Sequence, residues 1–344
     1  MAHTSIILIG FGNVGQAFAR LLLRKRSQLK NKYGFTYQVN GIATGRHGAA
    51  INPHGLDLEF ALKLMERGLS LDALHSGPPA PADMLEFIRA CPGEVLFENT
   101  PVNHANGQPA ASYLQAALEM GMHAITANKG PVAHCYAELS QLAASKGRRF
   151  LFESTVMDGA PIFSLFRGPL PAADLRGFEG ILNSTSNLVL GLMEDGQSFD
   201  EAVSHCQKVG LTETDPSNDV DGWDAAIKVA VLSTVLMGAP ITPQLVERSG
   251  IRAITPEMIA EAKAQGERWK LVCTARKSGE GLSAQVAPRR VPNGSTLYAI
   301  NGSSSYVEFE LDVLPGLGIV ENNPGPETTA FGLLADLVNT MRGG

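Results

Sequence analysis

Ser5-Ile6-Ile7-Leu8-Ile9-Gly10-Phe11-Gly12-Asn13-Val14-Gly15 is the stretch that decides the fold. A short apolar run ends in G-x-G-x-x-G, and helical spacing follows from Gly15 to about residue 25. The motif alone is weak, but here it stands between a predicted strand and a predicted helix, as dinucleotide binding requires. Gly10 permits a tight turn, Gly12 lets backbone approach a pyrophosphate, and Gly15 lets helix and strand pack closely. Asn13 and Val14 then lie at a helix N-terminus, whose amides and dipole favour phosphate. The bland alternative is a glycine-rich turn with no ligand.

Outward from this point the first half alternates apolar runs and helical patterns. Strands are expected at 5–9, 37–43, 94–98 and 123–126, and helices at 15–25, 56–67, 110–120 and 132–145. Such alternation implies a parallel sheet with crossover helices. Further strands are expected at 149–153 and 175–182, and a long helix at 220–237. Strand-like segments at 269–275, 282–288, 295–300 and 305–311 follow, separated by Gly, Asn and Pro. Helical spacing returns at 328–341. The expected fold is α/β: a Rossmann-type dinucleotide-binding domain (1–150 and 320–344) plus an α+β substrate and dimerisation domain (151–319), closed by a C-terminal helix.

Composition narrows the classes of partner. The 344 residues are 44% hydrophobic and 18% charged, with net charge -6, as in ordinary soluble domains. The basic triplet Arg24-Lys25-Arg26 ends the first predicted helix, where cations suit the dipole, so nucleic acid is not an expected partner. Cys91, Cys135, Cys206 and Cys273 are far apart and form no C-x-x-C pair, which fits reduced thiols. No basic leader precedes the first strand, and no stretch has the length of a membrane span. A soluble, cytoplasmic protein is expected.

The second predicted strand runs into Ala43-Thr44-Gly45-Arg46-His47. An NAD enzyme usually places an acid near Thr44 to hold the ribose 2′-hydroxyl, and none is present. Arg46 stands where a guanidinium could grip a 2′-phosphate, so NADP(H) is expected over NAD(H). A solvated loop arginine is the plain alternative.

Four later segments carry polar groups that folding alone does not demand. Lys129, in Thr126-Ala127-Asn128-Lys129-Gly130-Pro131, follows a strand end, where ligands of open α/β sheets sit; most such lysines are merely surface residues. In Phe152-Glu153-Ser154-Thr155-Val156-Met157-Asp158-Gly159-Ala160-Pro161 an acid is followed by a carbonyl-rich turn, able to bind a monovalent cation or simply to cap the turn. Asn183-Ser184-Thr185-Ser186-Asn187 can donate to a small polar substrate and also reads as a helix N-cap. Most informative is Thr212-Glu213-Thr214-Asp215-Pro216-Ser217-Asn218-Asp219-Val220-Asp221-Gly222-Trp223-Asp224-Ala225-Ala226-Ile227-Lys228. Asp224 and Lys228 share a helix face, and the rest of that helix to Gly238 has no charge. A helix apolar nearly all round is buried, so Lys228 is expected in a core-facing cleft, where a lysine is paired or functional.

Together TANKGP, ESTVMDGAP, GILNSTSN and TETDPSNDVDGWDAAIK resemble, in order and spacing, the short form of the homoserine dehydrogenase family, over nearly the whole chain. The resemblance implies NAD(P)-dependent interconversion of L-aspartate 4-semialdehyde and L-homoserine, in threonine and methionine biosynthesis. It implies that Lys129 and Lys228 polarise the carbonyl and relay a proton, with Asp224 orienting Lys228 or a water. Glu213 would hold the substrate ammonium, and Asp219, Asn183, Ser184 and Thr185 would complete the pocket. Thr100 and Asn128 would lie along the cofactor. Glu153 with the carbonyls of Val156, Asp158 and Ala160 resembles the family's site for a monovalent cation such as Na+. A homodimer is implied, and no threonine-binding regulatory module is expected. Leu211, Ser184, Asp158 and the stretch 324–330 depart from the usual family pattern. Of these, Leu211 and Ser184 would support the rival reading, a related reductase of another small amino or hydroxy acid. A non-catalytic dinucleotide-binding regulator would have lost the lysines or the acid.

Overall fold

The computed structural model describes residues 1–212, 214–279 and 281–342. They form two compact units, the first made of 1–161 with the chain from Gly325 onward, the second of 162–324.

The first unit begins with strand β1 (Ala2–Ile9), helix α1 (Asn13–Tyr33), β2 (Phe35–Ala43) and β3 (Ala49–Ile51). It continues with α2 (Leu58–Glu66), α3 (Met84–Ala90), β4 (Val95–Glu98), α4 (Ala110–Glu119), β5 (His123–Thr126), α5 (Lys129–Ser145) and β6 (Phe150–Leu151). The sheet order is β3-β2-β1-β4-β5-β6, parallel except for the β2–β3 pair. The chain therefore leaves β1 in one direction and returns to its other side at β4, which makes the β1/β4 crevice the switch point where ligands of such sheets bind. Successive residues Ile6, Ile7 and Leu8 of β1 and Val95, Leu96 and Phe97 of β4 are all buried, so both faces of these strands are covered.

Several expected boundaries move for local reasons. The first helix runs beyond the basic triplet to Tyr33, where Gly34 at φ +76° takes the left-handed cap and donates to Leu29 O. Arg26 is thus inside α1, its guanidinium 5.6 Å from the Tyr37 ring, and Lys30 and Lys32 occupy the last turn. α5 starts at Lys129 because Asn128 caps it, accepting from Gly130 N at 3.0 Å. The strand expected at 149–153 stops at Leu151, and Glu153–Thr155 is a 3-10 turn.

That turn keeps the segment to Pro161 in the first unit, past the boundary expected at 150. The closing helix of this unit, numbered last below, spans Pro326–Arg342 and packs on it closely. Ser154 Oγ donates to Thr329 O at 2.7 Å, and Thr328 Oγ1 donates to Asp158 Oδ2 at 2.9 Å. Glu153 N donates to Asp336 Oδ2 at 2.8 Å.

The second unit contains α6 (Phe163–Arg167), β7 (Leu175–Ile181), α7 (Ser184–Glu194), α8 (Phe199–Lys208), α9 (Ser217–Val220) and α10 (Trp223–Leu236). β8 (Glu247–Arg248), α11 (Pro256–Ala264), β9 (Glu267–Ser278), β10 (Gly281–Pro292), α12 (Thr296–Ala299), β11 (Ser305–Leu311) and β12 (Leu317–Glu321) follow, and the closing helix is α13. Their sheet has the order β12-β11-β7-β9-β10-β8 and is antiparallel except for β10–β8. Residues 295–300 are not a strand: Ser295 accepts from Tyr298 N and caps a short helical turn. The single helix expected at 220–237 is broken at Gly222, φ +79°, so Asp224 lies in the first turn of α10.

A Cβ added at Gly332 would lie 2.2 Å from Ser154 Oγ and 2.8 Å from Asp158 O, so α13 can seat on the turn only through glycine. Gly332→Ala is therefore expected to cost about 1–3 kcal/mol by overpacking. A lowered denaturant midpoint checks this; an unchanged midpoint would show that the turn gives way freely.

Candidate active site

In the first unit the candidate ligand surface is the end of β1. Gly10 adopts φ +85°, and its amide donates to Ala43 O at 2.9 Å. A Cβ here would meet Asn99 O at 2.4 Å and Thr100 N at 2.9 Å, so glycine is what lets the ends of β1 and β4 close up. Gly15 is equally constrained, its missing Cβ lying 2.5 Å from Gly10 O. Gly12, by contrast, faces open space and has nothing within 4 Å of a built Cβ. It caps α1 with no side-chain bond, and the first turn, with Asn13 and Val14, holds no acid. These amides can therefore turn to an anionic ligand, and the residues present fit a dinucleotide pyrophosphate.

The side loop and the strand ends supply the rest of this surface. Thr44 Oγ1 donates to Gly48 O at 3.0 Å and accepts from His47 N at 2.7 Å, so its hydroxyl is spent inside the loop. Arg46 is exposed beside it. Asn99 presents a buried side-chain amide with neither atom hydrogen-bonded to a described residue, as expected of a group that meets a ligand. Thr100 N donates to Glu98 Oε1 at 2.7 Å, and Asn128 Nδ2 donates to Thr100 O at 3.2 Å. Lys129 is the first residue of α5, half-buried.

The second unit has its own polar centre. Asn183 caps α7, accepting from Ser186 N at 2.7 Å, while its Nδ2 donates to Asp219 Oδ1 at 2.7 Å and to Asp224 Oδ2 at 3.0 Å. Lys228 Nζ lies 3.1 Å from Asp224 Oδ2 and donates to Leu182 O at 2.6 Å, with both side chains of the ion pair 14% exposed. Thr212 Oγ1 donates to Asp219 Oδ2. Burial, with the Asp224 carboxylate nearby, pushes the Asp219 carboxyl above its usual range, while Thr212, Asn183 and Lys228 pull it back. Thr185 Oγ1 donates to Leu211 O at 3.4 Å, and Ser184 Oγ lies 3.3 Å from Ser305 Oγ. The Trp223 ring beside Asp224 is covered by the Arg248 guanidinium at 3.8 Å. Chemically, this is a buried acid–lysine pair with one further acid and amide donors around it, able to hold a polar substrate and move a proton.

Glu213 lies outside the described residues. Within the first unit, Glu153 is 2% exposed in its 3-10 turn, Val156 and Ala160 are buried, and Asp158 has φ +33°. Among the described residues no three His, Cys, Asp or Glu side chains converge as a metal site, so any cation there would rest largely on carbonyl oxygens. Sequence reasoning missed Thr212, Ser305, Glu98 and Asn99. For Glu98 the signal was present, an acid closing an apolar strand, as at Glu153.

A switch-point glycine loop of Rossmann type, with a buried acid–lysine centre in the second unit, defines a nicotinamide-dinucleotide-dependent oxidoreductase. Two family models match the chain: homoserine dehydrogenase, NAD binding domain, over residues 10–153, and homoserine dehydrogenase over 161–338. The chain is 37% identical to an NAD(+)-dependent homoserine dehydrogenase of Pseudomonas canavaninivorans, over 98% of this chain and 96% of that protein. It is 34% identical to a homoserine dehydrogenase of Methanocaldococcus jannaschii, over 97% of each. Among solved structures, a hyperthermophilic archaeal homoserine dehydrogenase in complex with NADPH superposes with TM-score 0.84 at 25% identity, covering 99% and 98% of the two chains. The chain belongs to the homoserine dehydrogenase family. It is an NAD(P)-dependent oxidoreductase acting on a CH–OH group, interconverting L-homoserine and L-aspartate 4-semialdehyde.

Asn183→Ala removes a helix cap and both amide bonds to acids, and is expected to cost about 2–4 kcal/mol in stability. Ser184→Ala, which touches only another hydroxyl, is expected to cost less than about 1 kcal/mol. Denaturant unfolding compares the two; equal stability of both variants would deny Asn183 its place at the node.

Proposed function

We propose that Lys228 is the proton-relaying residue of this dehydrogenase, held in place by Asp224, and that Lys129 polarises the reacting oxygen. The observation that carries the reading is the short Lys228–Asp224 contact, with the ammonium also bonded to Leu182 O inside a largely apolar helix packing. A bound nicotinamide supplies the hydride chemistry. The chain's part is to hold the alcohol or aldehyde, to exclude water from it, and to pass the proton at its oxygen. Asn183, Ser184, Thr185 and Asp219 then form the polar wall for the amino-acid end of the substrate, with Glu213 as partner of its ammonium group. Lys228→Ala and Lys129→Ala are each expected to lower kcat for homoserine oxidation about a hundredfold while cofactor binding persists. Full activity of either variant in steady-state assay would remove that lysine from the chemistry.

Gly10, Gly12, Asn13, Val14 and Gly15 cradle the pyrophosphate in this reading, with Thr44, Arg46, Thr100 and Asn128 along the rest of the cofactor. NADP(H) is the preferred form, because the loop 44–48 holds no acid and exposes Arg46. The relatives differ on this point: one is named for NAD(+), while another was solved with NADPH. Arg46→Ala is expected to cut kcat/KM with NADP(H) about tenfold and leave NAD(H) nearly unchanged. A parent enzyme that favours NAD(H) would overturn the preference. A monovalent cation such as Na+ would be held by Glu153 with the carbonyls of Val156, Asp158 and Ala160; equal activity after replacing Na+ by a bulky organic cation would exclude it. The enzyme acts as a cytoplasmic homodimer, which light scattering and cell fractionation test; no described helix is long and apolar enough to cross a membrane.

A further inference from the structure

Glu98 ends β4 and is fully buried, in register opposite Ile9 of β1 and Thr126 of β5. Its Oε1 accepts from the Thr100 amide at 2.7 Å and from the Thr100 hydroxyl, and its Oε2 accepts from Thr126 Oγ1 at 2.8 Å. All of these donors are neutral. Burial pushes the carboxyl up, and only hydrogen bonds from Thr100, Thr126 and Asn128 oppose that rise. An unpaired buried acid weakens the fold relative to an apolar residue of the same size. Packing alone therefore does not account for it.

The bonds that leave Glu98 form a closed ring. The Thr126 hydroxyl also accepts from the Asn128 amide at 2.8 Å. Asn128 Oδ1 caps α5 through Gly130 N at 3.0 Å, and its Nδ2 returns to Thr100 O at 3.2 Å. Glu98, Thr126, Asn128 and Thr100 thus bind the loop after β4 to the first turn of α5, where Lys129 stands. The fit is close: a Cβ on Gly130 would lie 3.0 Å from Asn103 O and 3.1 Å from Gly107 Cα.

We propose that Glu98 is a positioning residue: through Thr126 and Asn128 its buried carboxylate sets Thr100 and Lys129 in one geometry at the switch point. This rests on the reading above that Lys129 acts on the substrate and Thr100 lies along the cofactor. Glu98 touches neither ligand in this role. It makes the loop and the helix move as one body, so cofactor placement and lysine placement are shared.

The ring breaks at Thr126 with little change of volume. In the full-length protein, Thr126→Val is expected to lower kcat for homoserine oxidation about tenfold or more and to raise the cofactor KM, the usual scale for misplacing a reacting group. The homoserine KM is expected to stay within about twofold, since that variant leaves the second unit's groups intact, and Thr126→Ser, which keeps the hydroxyl, to stay within about threefold of the parent. Lys129→Ala is expected to cost less in the Thr126→Val background than alone, because the two act on one event. If Lys129→Ala by itself leaves kcat intact, the reading of Lys129 fails. If Lys129→Ala lowers kcat but Thr126→Val retains parent kcat and cofactor KM, the positioning proposal is overturned. Glu98→Gln serves should Thr126→Val fail to fold. Its amide can accept from Thr100 and donate to Thr126, whose proton then turns to Glu98 O, 3.0 Å away. A loss below about tenfold supports positioning, whereas a larger loss would mean the charge itself acts on the cofactor and would overturn it.

Discussion

A strand that ends beneath packed helices delivers its last polar groups into an interior where water cannot serve them, and each must find a partner in the protein. This constraint organises both units. In the first, β4 ends at Glu98 and β5 at Thr126, and the two meet in one hydrogen-bonded node. In the second, β7 ends before Leu182 and Asn183, which bind Lys228 and the acids Asp219 and Asp224. The residues proposed above for the chemistry are among the groups that end the strands or bond to them. Satisfying the strand ends and placing those residues are one structural problem.

The Asp224–Lys228 pair illustrates how the balance is struck. Two charges at 14% exposure lose most of their hydration, and their mutual attraction alone rarely offsets that loss. Asn183 adds a donor to the acid, and Leu182 O adds an acceptor for the ammonium. The position of Asp224 in the first turn of α10 places it at the positive end of the helix dipole. A similar device holds Lys270, 1% exposed in β9, whose ammonium donates to Asn187 Oδ1 at 2.8 Å and to Ile300 O. Burial pulls that lysine down to about 8, and Asn187 in turn donates to the carbonyls of Ile300, Gly302 and Ser304. Helix α7 is therefore pinned by polar contacts at Asn183 and again one turn later.

How legible these features are in the chain depends on the distance over which their physics operates. The glycine loop could be read because a tight turn, a cap and a close helix–strand contact all act within six residues of Gly10. The buried character of α10 could be read because its uncharged run has a single reading at helical spacing. Segment 295–300 misled because six residues of mixed apolar and polar character suit a strand and a short turn equally, and Ser295 decided it by accepting from Tyr298 N. The helix break at Gly222 was hidden inside a continuous helical pattern, since one left-handed residue leaves no trace in periodicity.

By itself the sequence determined most of the strands and helices, where the glycine-rich turn after the first strand lies, and which strand ends carry polar side chains. These follow from propensity, periodicity and capping, which act between near neighbours. Only the tertiary structure decided which of those polar groups meet. Glu98 reaches Thr126 across 28 residues, and Asn183 reaches Asp219 and Asp224 across 36 and 41. Such pairings depend on sheet order and on the returns that bring β4 beside β1 and α10 beneath β7's end. A hydrogen bond between remote residues leaves no local pattern, because either partner would look the same in the chain if it faced water.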